Sequence, residues 1–210
     1  MLIRGILKNT KYFRRYWKER VIDWKQAYFT PDHPHRQLII DALRVFTFRS
    51  VLEVGCGAGA NLYRIKKEFP HSDIGGIDWS EDAISAARES LPRASILQVG
   101  EAGDVYVSDK GSDILISDMC YIYFDRINFI KALVEAKRVA KNGVIFCEFH
   151  HKSWFKRLLL KIATGYNAYD YEKELKLLGF HDIRMKKIQE QDWPGGEPQK
   201  SFGWVISAKP

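Results

Sequence analysis

Residues 51–62 are VLEVGCGAGANL, a short apolar run that leads into three closely spaced glycines. The apolar run predicts a buried strand that ends at Val54, and a helix is expected directly after the last glycine. Gly55, Gly57 and Gly59 lie where the chain must adopt positive φ or let a ligand touch its backbone. Free N–H groups at the start of a helix also favour an anion. The stretch therefore predicts a ligand-binding turn between a strand and a helix.

Beyond this turn, short apolar runs alternate with amphipathic stretches. The runs predict seven strands: VLEV, IGGID, SILQV, DILIS, GVIFCEF, IRMKKI and GWVISA. The stretches between them predict helices: NLYRIKKEF, EDAISAARES, RINFIKALVEAKRVA and YDYEKELKLL. This alternation indicates an α/β fold, a doubly wound and mostly parallel seven-stranded sheet with helices on both faces. No helix is predicted between the last two strands, so we expect an antiparallel C-terminal hairpin at one edge.

The charge of the 210-residue chain is unevenly distributed. Residues 1–50 hold 11 Lys and Arg against 4 Asp and Glu, whereas residues 51–210 hold 22 of each. The whole net charge of +7 therefore belongs to the first part of the chain. Such asymmetry predicts a basic extension attached to a neutral domain.

The basic part of the chain is expected to be helical. Aromatic and basic residues over 9–28 recur near helical spacing and predict one amphipathic helix. The segment FTPDHP breaks it, and a second helix is expected over 35–46. We therefore divide the chain into N-terminal helices in a basic extension, residues 1–44, and a Rossmann-like domain, residues 45–210.

The sequence contains no apolar run of the roughly 18 residues that a membrane span requires. Its apolar start is too short for a signal-peptide core, so we expect a cytoplasmic protein. Cys56, Cys120 and Cys147 are too widely spaced for a disulfide framework or a zinc site. We expect reduced thiols and no metal.

Asp78 ends the second predicted strand, 23 residues after Gly55. A carboxylate at this place can accept both hydroxyls of a ribose. Ser80 is better placed to cap the following helix, which leaves Asp78 for a ligand. Trp79 offers a flat ring for stacking on adenine, with surface packing as the alternative.

The runs EVGCGAG (53–59) and GIDWS (76–80) together resemble the first two motifs of class I S-adenosylmethionine-dependent methyltransferases. The resemblance implies a Rossmann-like fold, S-adenosyl-L-methionine as cofactor, and methyl transfer. Glu53 matches the acidic residue before the family's glycines, while Glu101 and Ala102 match its adenine contacts. Glu101 departs from the more usual Asp, and no N/D/S-P-P-aromatic sequence follows Asp118, unlike in methylases of exocyclic or amide nitrogen.

The resemblance implies a set of cofactor contacts at and after the strand ends: Glu53, Gly55, Cys56, Gly57, Gly59, Asn61, Asp78, Trp79, Glu101, Ala102 and Asp118. Methyl transfer chiefly requires the nucleophile to be held in line with the methyl group, and a base only where a proton must leave. Strand ends suggest four catalytic candidates: Asp118, Tyr121, His150 and His151. The alternatives are that Asp118 only caps a turn, that Tyr121 packs in a lid, and that the two histidines are surface residues.

We expect methyl transfer to an oxygen or nitrogen nucleophile of a small molecule, and the basic extension would suit an anionic one. The alternatives are an RNA methyltransferase that uses the basic extension, an NAD-dependent oxidoreductase with the same glycine turn, and a scaffold without transfer activity. Residues 152–166 carry Trp, Phe and Leu beside Lys and Arg. We favour a helix that packs by its apolar face and forms part of a substrate lid, over contact with a membrane surface.

The basic extension is expected to fold over the cofactor-side opening. Its aromatic residues would then form a wall of the substrate site: Tyr12, Trp17, Trp24 and Tyr28. Its arginines would attract an anionic group of the substrate: Arg14, Arg15 and Arg20. Packing of the extension elsewhere on the sheet is the alternative.

Overall fold

A computed structural model describes residue 5 and residues 7–210 of the chain. Within this part the helices are α1 (Thr10–Glu19), α2 (Trp24–Tyr28), α3 (His35–Leu43), α4 (Ala60–Glu68), α5 (Glu81–Ser90), α6 (Arg126–Val139), α7 (Trp154–Thr164), α8 (Tyr171–Leu177) and α9 (Gln199–Phe202). The strands are β1 (Ser50–Val54), β2 (Asp73–Asp78), β3 (Ile96–Val99), β4 (Ser112–Asp118), β5 (Ala140–Phe149), β6 (His181–Lys187) and β7 (Gly203–Lys209). A 3₁₀ turn covers Tyr121–Tyr123.

The strands form one sheet in the order β3-β2-β1-β4-β5-β7-β6. Strands β1 to β5 are parallel, and β7 runs antiparallel to both β5 and β6. The predicted fold class is therefore confirmed, including the hairpin at the sheet edge. From β1 the sheet extends through β2 and β3 to one edge, and from β4 it extends through β5 towards the other. The order of the strands therefore reverses between β1 and β4. Sheets of this kind bind ligands at the carboxyl ends of the strands beside such a reversal.

Alternate residues along each strand enter two separate cores, one on each face of the sheet. Leu52 packs in the core that contains Phe129 of α6, whereas its neighbour Val51 packs in the core that contains Leu43 of α3. Burial on both faces explains why apolar residues in β1 and β4 are consecutive, as at Val51 and Leu52 and over 114–116, instead of alternating with polar ones.

The helix predicted over residues 9–28 is wrong as a single element. Helix α1 ends at Glu19, because Arg20 adopts an extended conformation with ψ of 112°. Asp23 then caps a new helix, its side chain accepting the N–H of Gln26. A strong N-cap and the β-branched pair before it favour the break over continuation.

A short helix, α9, also lies between β6 and β7, where none was predicted. Pro198 precedes it. Proline suits a helix start because the first N–H groups of a helix have no partner in the helix.

Helix α1 is anchored to the domain by the side chain of Thr10. Its Oγ1 donates to Asp125 Oδ2 at 2.9 Å and accepts the Asp125 N–H at 2.7 Å. Phe13, one turn further on, is buried against the rings of Tyr123 and Tyr166. These contacts hold the extension against the segment that follows β4.

Replacing the anchoring hydroxyl tests this attachment. Thr10→Val should lower the free energy of unfolding by about 1–3 kcal/mol, because the Asp125 N–H and carboxylate lose a buried partner. Denaturant titration measures the change. Thr10→Ser keeps the hydroxyl and should remain closer to the parent protein. A Thr10→Val variant as stable as the parent protein would contradict this role of the hydroxyl.

Candidate functional site

The glycine turn joins β1 to α4. Gly55, Gly57 and Gly59 all have positive φ, at 74°, 52° and 83°. The Gly55 N–H donates to the carbonyl of Ile77 at 2.7 Å, which ties the turn to β2. A Cβ added to Gly57 would meet nothing closer than the Trp24 ring at 3.9 Å. The turn therefore combines left-handed backbone with open space in front of Gly57, which allows a ligand to approach the backbone.

A cavity of about 310 Å³ opens in front of this turn. It brings together most of the predicted cofactor residues: Glu53, Gly55, Cys56, Gly57, Asn61, Asp78, Trp79, Ala102 and Asp118. Gly59 and Glu101 do not line it. Gly59 is instead the residue before α4, in the left-handed conformation.

Asp78 holds two backbone segments at the end of β2. Its Oδ2 accepts the Gly57 N–H and its Oδ1 accepts the Ser80 N–H, both at 2.9 Å. Ser80 in turn caps α5 by accepting the N–H of Ala83, as predicted. Burial raises the pKa of Asp78, and the N–H donors oppose this. Each carboxylate oxygen has a further lone pair, so Asp78 can still accept hydrogen bonds from a ligand.

Trp79 and Ala102 form an apolar part of the cavity wall. The Trp79 Nε1–H donates to Glu101 Oε2 at 2.7 Å, and the same oxygen accepts from Arg14 at 2.7 Å. Glu101 therefore orients the indole ring and lies outside the cavity. The Trp79 ring also packs on Phe124, with centroids 5.4 Å apart.

Glu53, Asn61 and Asp118 form a polar network on the β4 side of the turn. Asn61 Nδ2 donates to Glu53 Oε1 at 2.6 Å and to Asp118 Oδ2 at 2.9 Å. Among the described residues, Glu53 Oε2 and Asp118 Oδ1 are buried without a hydrogen-bond partner. Buried polar atoms are rarely left unpaired, so two such acceptors in one cavity fit a ligand with a cationic donor.

The two carboxyl groups of this network differ in charge. Burial raises the pKa of Glu53 to about 8, against the hydrogen bond from Asn61. Burial also acts to raise the pKa of Asp118, but His35 and Arg36 outweigh it and hold that pKa well below its usual range. At neutral pH, Glu53 is therefore mainly protonated and Asp118 is ionised.

The segment PDHPHR supplies residues that the sequence analysis did not select. His35 Nε2 lies 2.9 Å from Asp118 Oδ2. Arg36 donates to Asn61 Oδ1 at 2.6 Å and lies 3.4 Å from Asp118 Oδ2. The available signal was two histidines and an arginine directly after the helix-breaking prolines.

His33 extends this network into the cavity wall. Its Nδ1 lies 2.6 Å from Nδ1 of His35. When His35 donates from Nε2 to Asp118, its Nδ1 can accept a hydrogen bond from the Nδ1–H of His33. The Trp193 ring packs on both imidazoles, at 4.2 Å from His35 and 4.9 Å from His33. Burial lowers the pKa of His33, and its neighbours His35 and Arg36 lower it further.

His35, Asp118 and Cys147 also offer metal-ligand atoms within 4.8 Å of one another. Asp118 Oδ2 already receives His35 and Asn61, however, and the Arg36 guanidinium lies beside it. A guanidinium at this distance repels a second cation. The cluster is therefore better described as a buried ion pair than as a metal site.

Glu148 shapes the turn after β4, and the sequence analysis did not select it either. Its Oε1 accepts from Ser117 Oγ at 2.6 Å and from the N–H groups of Cys120 and Tyr121 at 2.9 Å. Its Oε2 accepts the N–H of Ile122 at 3.2 Å. Burial raises the pKa of Glu148 to about 7. The sequence feature that could have indicated this role is an acidic residue within the otherwise apolar run of β5.

Three predicted catalytic residues do not line the cavity that contains Asp118. Tyr121 is 1% exposed and lies in the core. His150 and His151 line a separate cleft with Lys152, Lys156, Lys187, Ser201, Phe202 and Trp204. Strand β5 continues past the end of β4, so the two histidines lie beyond the sheet edge at which Asp118 is found. The His150 N–H donates to the carbonyl of Phe202, directly before β7. The structure therefore separates them from Asp118.

The extension covers the cavity with aromatic rings. Trp17, Trp24 and Tyr28 line it and pack on one another, with centroids 5.2–5.7 Å apart. The indole Nε1 atoms of both tryptophans are buried without a partner among the described residues. Tyr12 is 45% exposed and does not line the cavity. Three of the four predicted wall residues therefore lie in the wall.

The three arginines expected to attract an anion have other partners. Arg14 and Arg15 form ion pairs with glutamates at 2.7 and 2.9 Å. The Arg20 guanidinium lies over the rings of neighbouring aromatic residues. None of the three lines the cavity, whereas Arg36 does.

The expected packing of the 152–166 helix is wrong for most of its length. Only Tyr166, after the end of α7, lines the cavity. Leu160 is the buried residue of α7, whereas Trp154 is 68% and Leu159 48% exposed. The apolar face is therefore directed away from the domain.

The known proteins that this chain resembles include methyltransferases. A family model described as a methyltransferase domain matches residues 49–194. Trans-aconitate 2-methyltransferase of Afipia carboxidovorans is 31% identical over 113 residues, 53% of this chain and 42% of that protein. Malonyl-[acyl-carrier protein] O-methyltransferase 1 of Ilyobacter polytropus is 28% identical over 126 residues, 55% of this chain and 46% of that protein. The chain spans about half the length of these curated relatives.

The fold has counterparts among solved structures. Geranyl diphosphate C-methyltransferase from Streptomyces coelicolor A3(2), in complex with Mg²⁺, geranyl diphosphate and S-adenosyl-L-homocysteine, superposes with a TM-score of 0.67. The superposition covers 95% of this chain and 97% of that one at 13% identity. At this identity the likeness concerns the fold alone.

Burial of the Glu53 carboxyl should make the free energy of unfolding depend on pH. Its pKa is about 8 in the folded protein against an ordinary value of 4.5, so the folded state keeps a proton that the unfolded chain releases. The free energy of unfolding should therefore fall as pH rises between these values. Glu53→Gln stays neutral and should make this decline smaller. Denaturant titration at several pH values measures it.

Glu148→Gln is the matched comparison, because the pKa of Glu148 is also raised but both of its oxygens accept hydrogen bonds. The amide presents an N–H₂ group to one set of donors and should cost about 1–3 kcal/mol of stability. Equal behaviour of the two variants would contradict the assignment of an unpaired oxygen to Glu53.

Proposed function

Because this chain belongs to the class I S-adenosylmethionine-dependent methyltransferases, we propose that it methylates an oxygen or nitrogen nucleophile of a small molecule. The cofactor of the family is S-adenosyl-L-methionine, which when bound supplies an electrophilic methyl group on a positively charged sulfur. The observation that carries the proposal is the cavity at the ends of β1, β2 and β4, with its free acceptors and its aromatic cover.

The residues of the cavity suit the polar groups of this cofactor. Asp118 Oδ1 would accept from its amino group, and Glu53 Oε2 would do so once the positive charge of that group displaces the Glu53 proton. Asp78 would accept from the ribose hydroxyls with its remaining lone pairs. Trp79 and Ala102 would form the adenine wall, and the open space at Gly57 would admit the ligand to the backbone.

A small acceptor with an apolar or aromatic body fits the remainder of the cavity. The walls there are aromatic: Trp17, Tyr28, Tyr123 and Tyr166. The cavity of about 310 Å³ would also hold the cofactor, so the part of the acceptor that enters it is small. Arg14 and Arg15 of α1 form ion pairs with glutamates, which reduces the positive charge that α1 offers to RNA phosphates.

We assign removal of the acceptor's proton to His33. With His35 donating to Asp118 and accepting from His33 Nδ1, the Nε2 of His33 keeps a lone pair. This nitrogen would take the proton of an O–H or N–H nucleophile. The resulting positive charge on the two imidazoles is then balanced by the buried Asp118 carboxylate, as in other carboxylate–histidine arrangements.

Cofactor binding is tested at Gly57. Gly57→Val should abolish binding of S-adenosyl-L-homocysteine in calorimetry, because the side chain would occupy the space in front of the turn. Gly195 also has positive φ, at 67°, and open surroundings, but does not line the cavity. Gly195→Val carries similar backbone strain and should bind normally. Wild-type protein that binds neither S-adenosylmethionine nor its demethylated product, yet binds NAD, would overturn the proposal.

The role of His33 is tested by a pH profile, with an acceptor found by screening small aromatic hydroxyl and amine compounds on the wild type. His33→Gln should lower kcat about 100-fold or more and leave the Kd for S-adenosylhomocysteine nearly unchanged. The wild-type rate should fall on the acid side, below the usual histidine range, because burial lowers the pKa of His33. In the His33→Gln variant this fall of the rate at acid pH should be absent.

His151→Gln is the matched control, since His151 lies outside the cavity. It should keep the wild-type rate and profile. A His33→Gln variant with normal kcat and weakened cofactor binding would instead make His33 a cofactor ligand.

A further inference from the structure

Helix α7 presents an apolar surface that the cavity does not use. At about 100° per residue, positions 154, 155, 158, 159 and 162 fall within one arc of about 140°. The large side chains at four of these positions are well exposed: Trp154 68%, Phe155 54%, Leu158 39% and Leu159 48%. Leu160, the buried residue of the helix, lies on the other side. An exposed apolar stripe of this kind indicates a surface that is covered by something else.

Basic residues flank the apolar arc on both sides. Lys156 lies beyond one edge of the arc and Arg157 beyond the other, and α7 contains no acidic residue. Within the described part of the chain, neither residue forms an ion pair, whereas Lys152 pairs with Glu172 at 2.8 Å. Lys156 also borders the cleft that contains Lys187. The flanks of the arc are therefore positively charged.

The beginning of the chain adds to this surface. A Cβ on Gly5 would collide with the carbonyl oxygens of Lys161 and Ile162, so the chain passes directly against the last turns of α7. Lys161 Nζ donates to the carbonyl of Lys8. Leu7, between these contacts, is 72% exposed.

We propose that α7 and Leu7 form a docking surface for the anionic face of a lipid membrane. The apolar arc would enter the headgroup region, and Lys156 and Arg157 would meet lipid phosphates. None of the described helices is both long and apolar enough to cross a bilayer, so the contact is with the membrane surface. Docking needs neither cofactor nor acceptor and goes beyond the proposed methyl transfer.

The charge around the arc favours lipid over a second copy of the chain. A twofold contact through α7 would bring the Lys156 and Arg157 of one copy towards those of the other, and like charges oppose association. An anionic surface neutralises them on both flanks. Tyr166 lines the cavity shortly after α7 ends, so docking would bring one cavity wall close to the membrane.

Sedimentation with vesicles tests the proposal on the full chain. Vesicles of phosphatidylcholine mixed with phosphatidylglycerol should bind the protein, vesicles of phosphatidylcholine alone should bind it far less, and salt should weaken binding. Lys156→Gln with Arg157→Gln should weaken binding about 25-fold, at about fivefold per charge. Trp154→Ser with Phe155→Ser should weaken it at least about tenfold.

Matched controls separate this surface from general exposure and charge. Val45→Ser with Val134→Ser removes apolar groups that are 48% and 50% exposed elsewhere. Lys18→Gln with Lys67→Gln removes two exposed charges of other helices. Both pairs should bind like the parent.

Absence of binding to the anionic vesicles would overturn the proposal, as would equal binding by all variants. A dimer in size-exclusion chromatography that Trp154→Ser with Phe155→Ser converts to a monomer, without vesicle binding, would show that a second copy covers α7 and would equally overturn it.

Discussion

The buried carboxylate of Asp118 is the interaction on which the site depends. A buried charge is tolerated only when several donors surround it, because its loss of hydration is otherwise too costly. Its donors come from different parts of the chain: Asn61 from α4, and His35 and Arg36 from the start of α3. One charge at the end of β4 therefore joins the extension, the glycine turn and the sheet.

Two other strand-end carboxyl groups have related tasks. Asp78 on β2 accepts backbone N–H groups on either side of the cavity, from Gly57 and Ser80. Glu148 on β5 does the same for the turn after β4. Loops over the carboxyl ends of parallel strands have few neighbours to hold them, so acidic side chains supply the acceptors that their N–H groups need. The cavity owes its shape to these three groups.

The aromatic and the basic residues of the first part of the chain have different roles, which its net charge did not reveal. Its aromatic residues close the cavity, while most of its arginines are used in ion pairs and in stacking on rings. The cation that reaches the site, Arg36, belongs to a proline-rich segment outside the aromatic stretch. Positive charge and an exposed apolar arc occur together at α7 instead, on the outside of the domain.

The local parts of this structure could be predicted from the sequence. The glycine turn, the seven strands, the cap at Ser80 and the cluster of Glu53, Asp78 and Trp79 depend on spacing and turn chemistry within a few residues. The parallel sheet follows from the alternation of strands and helices. These features are determined by the sequence because each residue's preference and its consequence lie close together in the chain.

Tertiary packing alone decided the rest. His35 meets Asp118 from 83 positions away, and His150 is carried to another cleft by the length of β5. The apolar face of α7 has the periodicity of a packed helix, yet it is directed outwards, because amphipathic spacing does not specify which surface covers it. Contacts between distant segments depend on how the whole chain packs, and no local pattern contains that information.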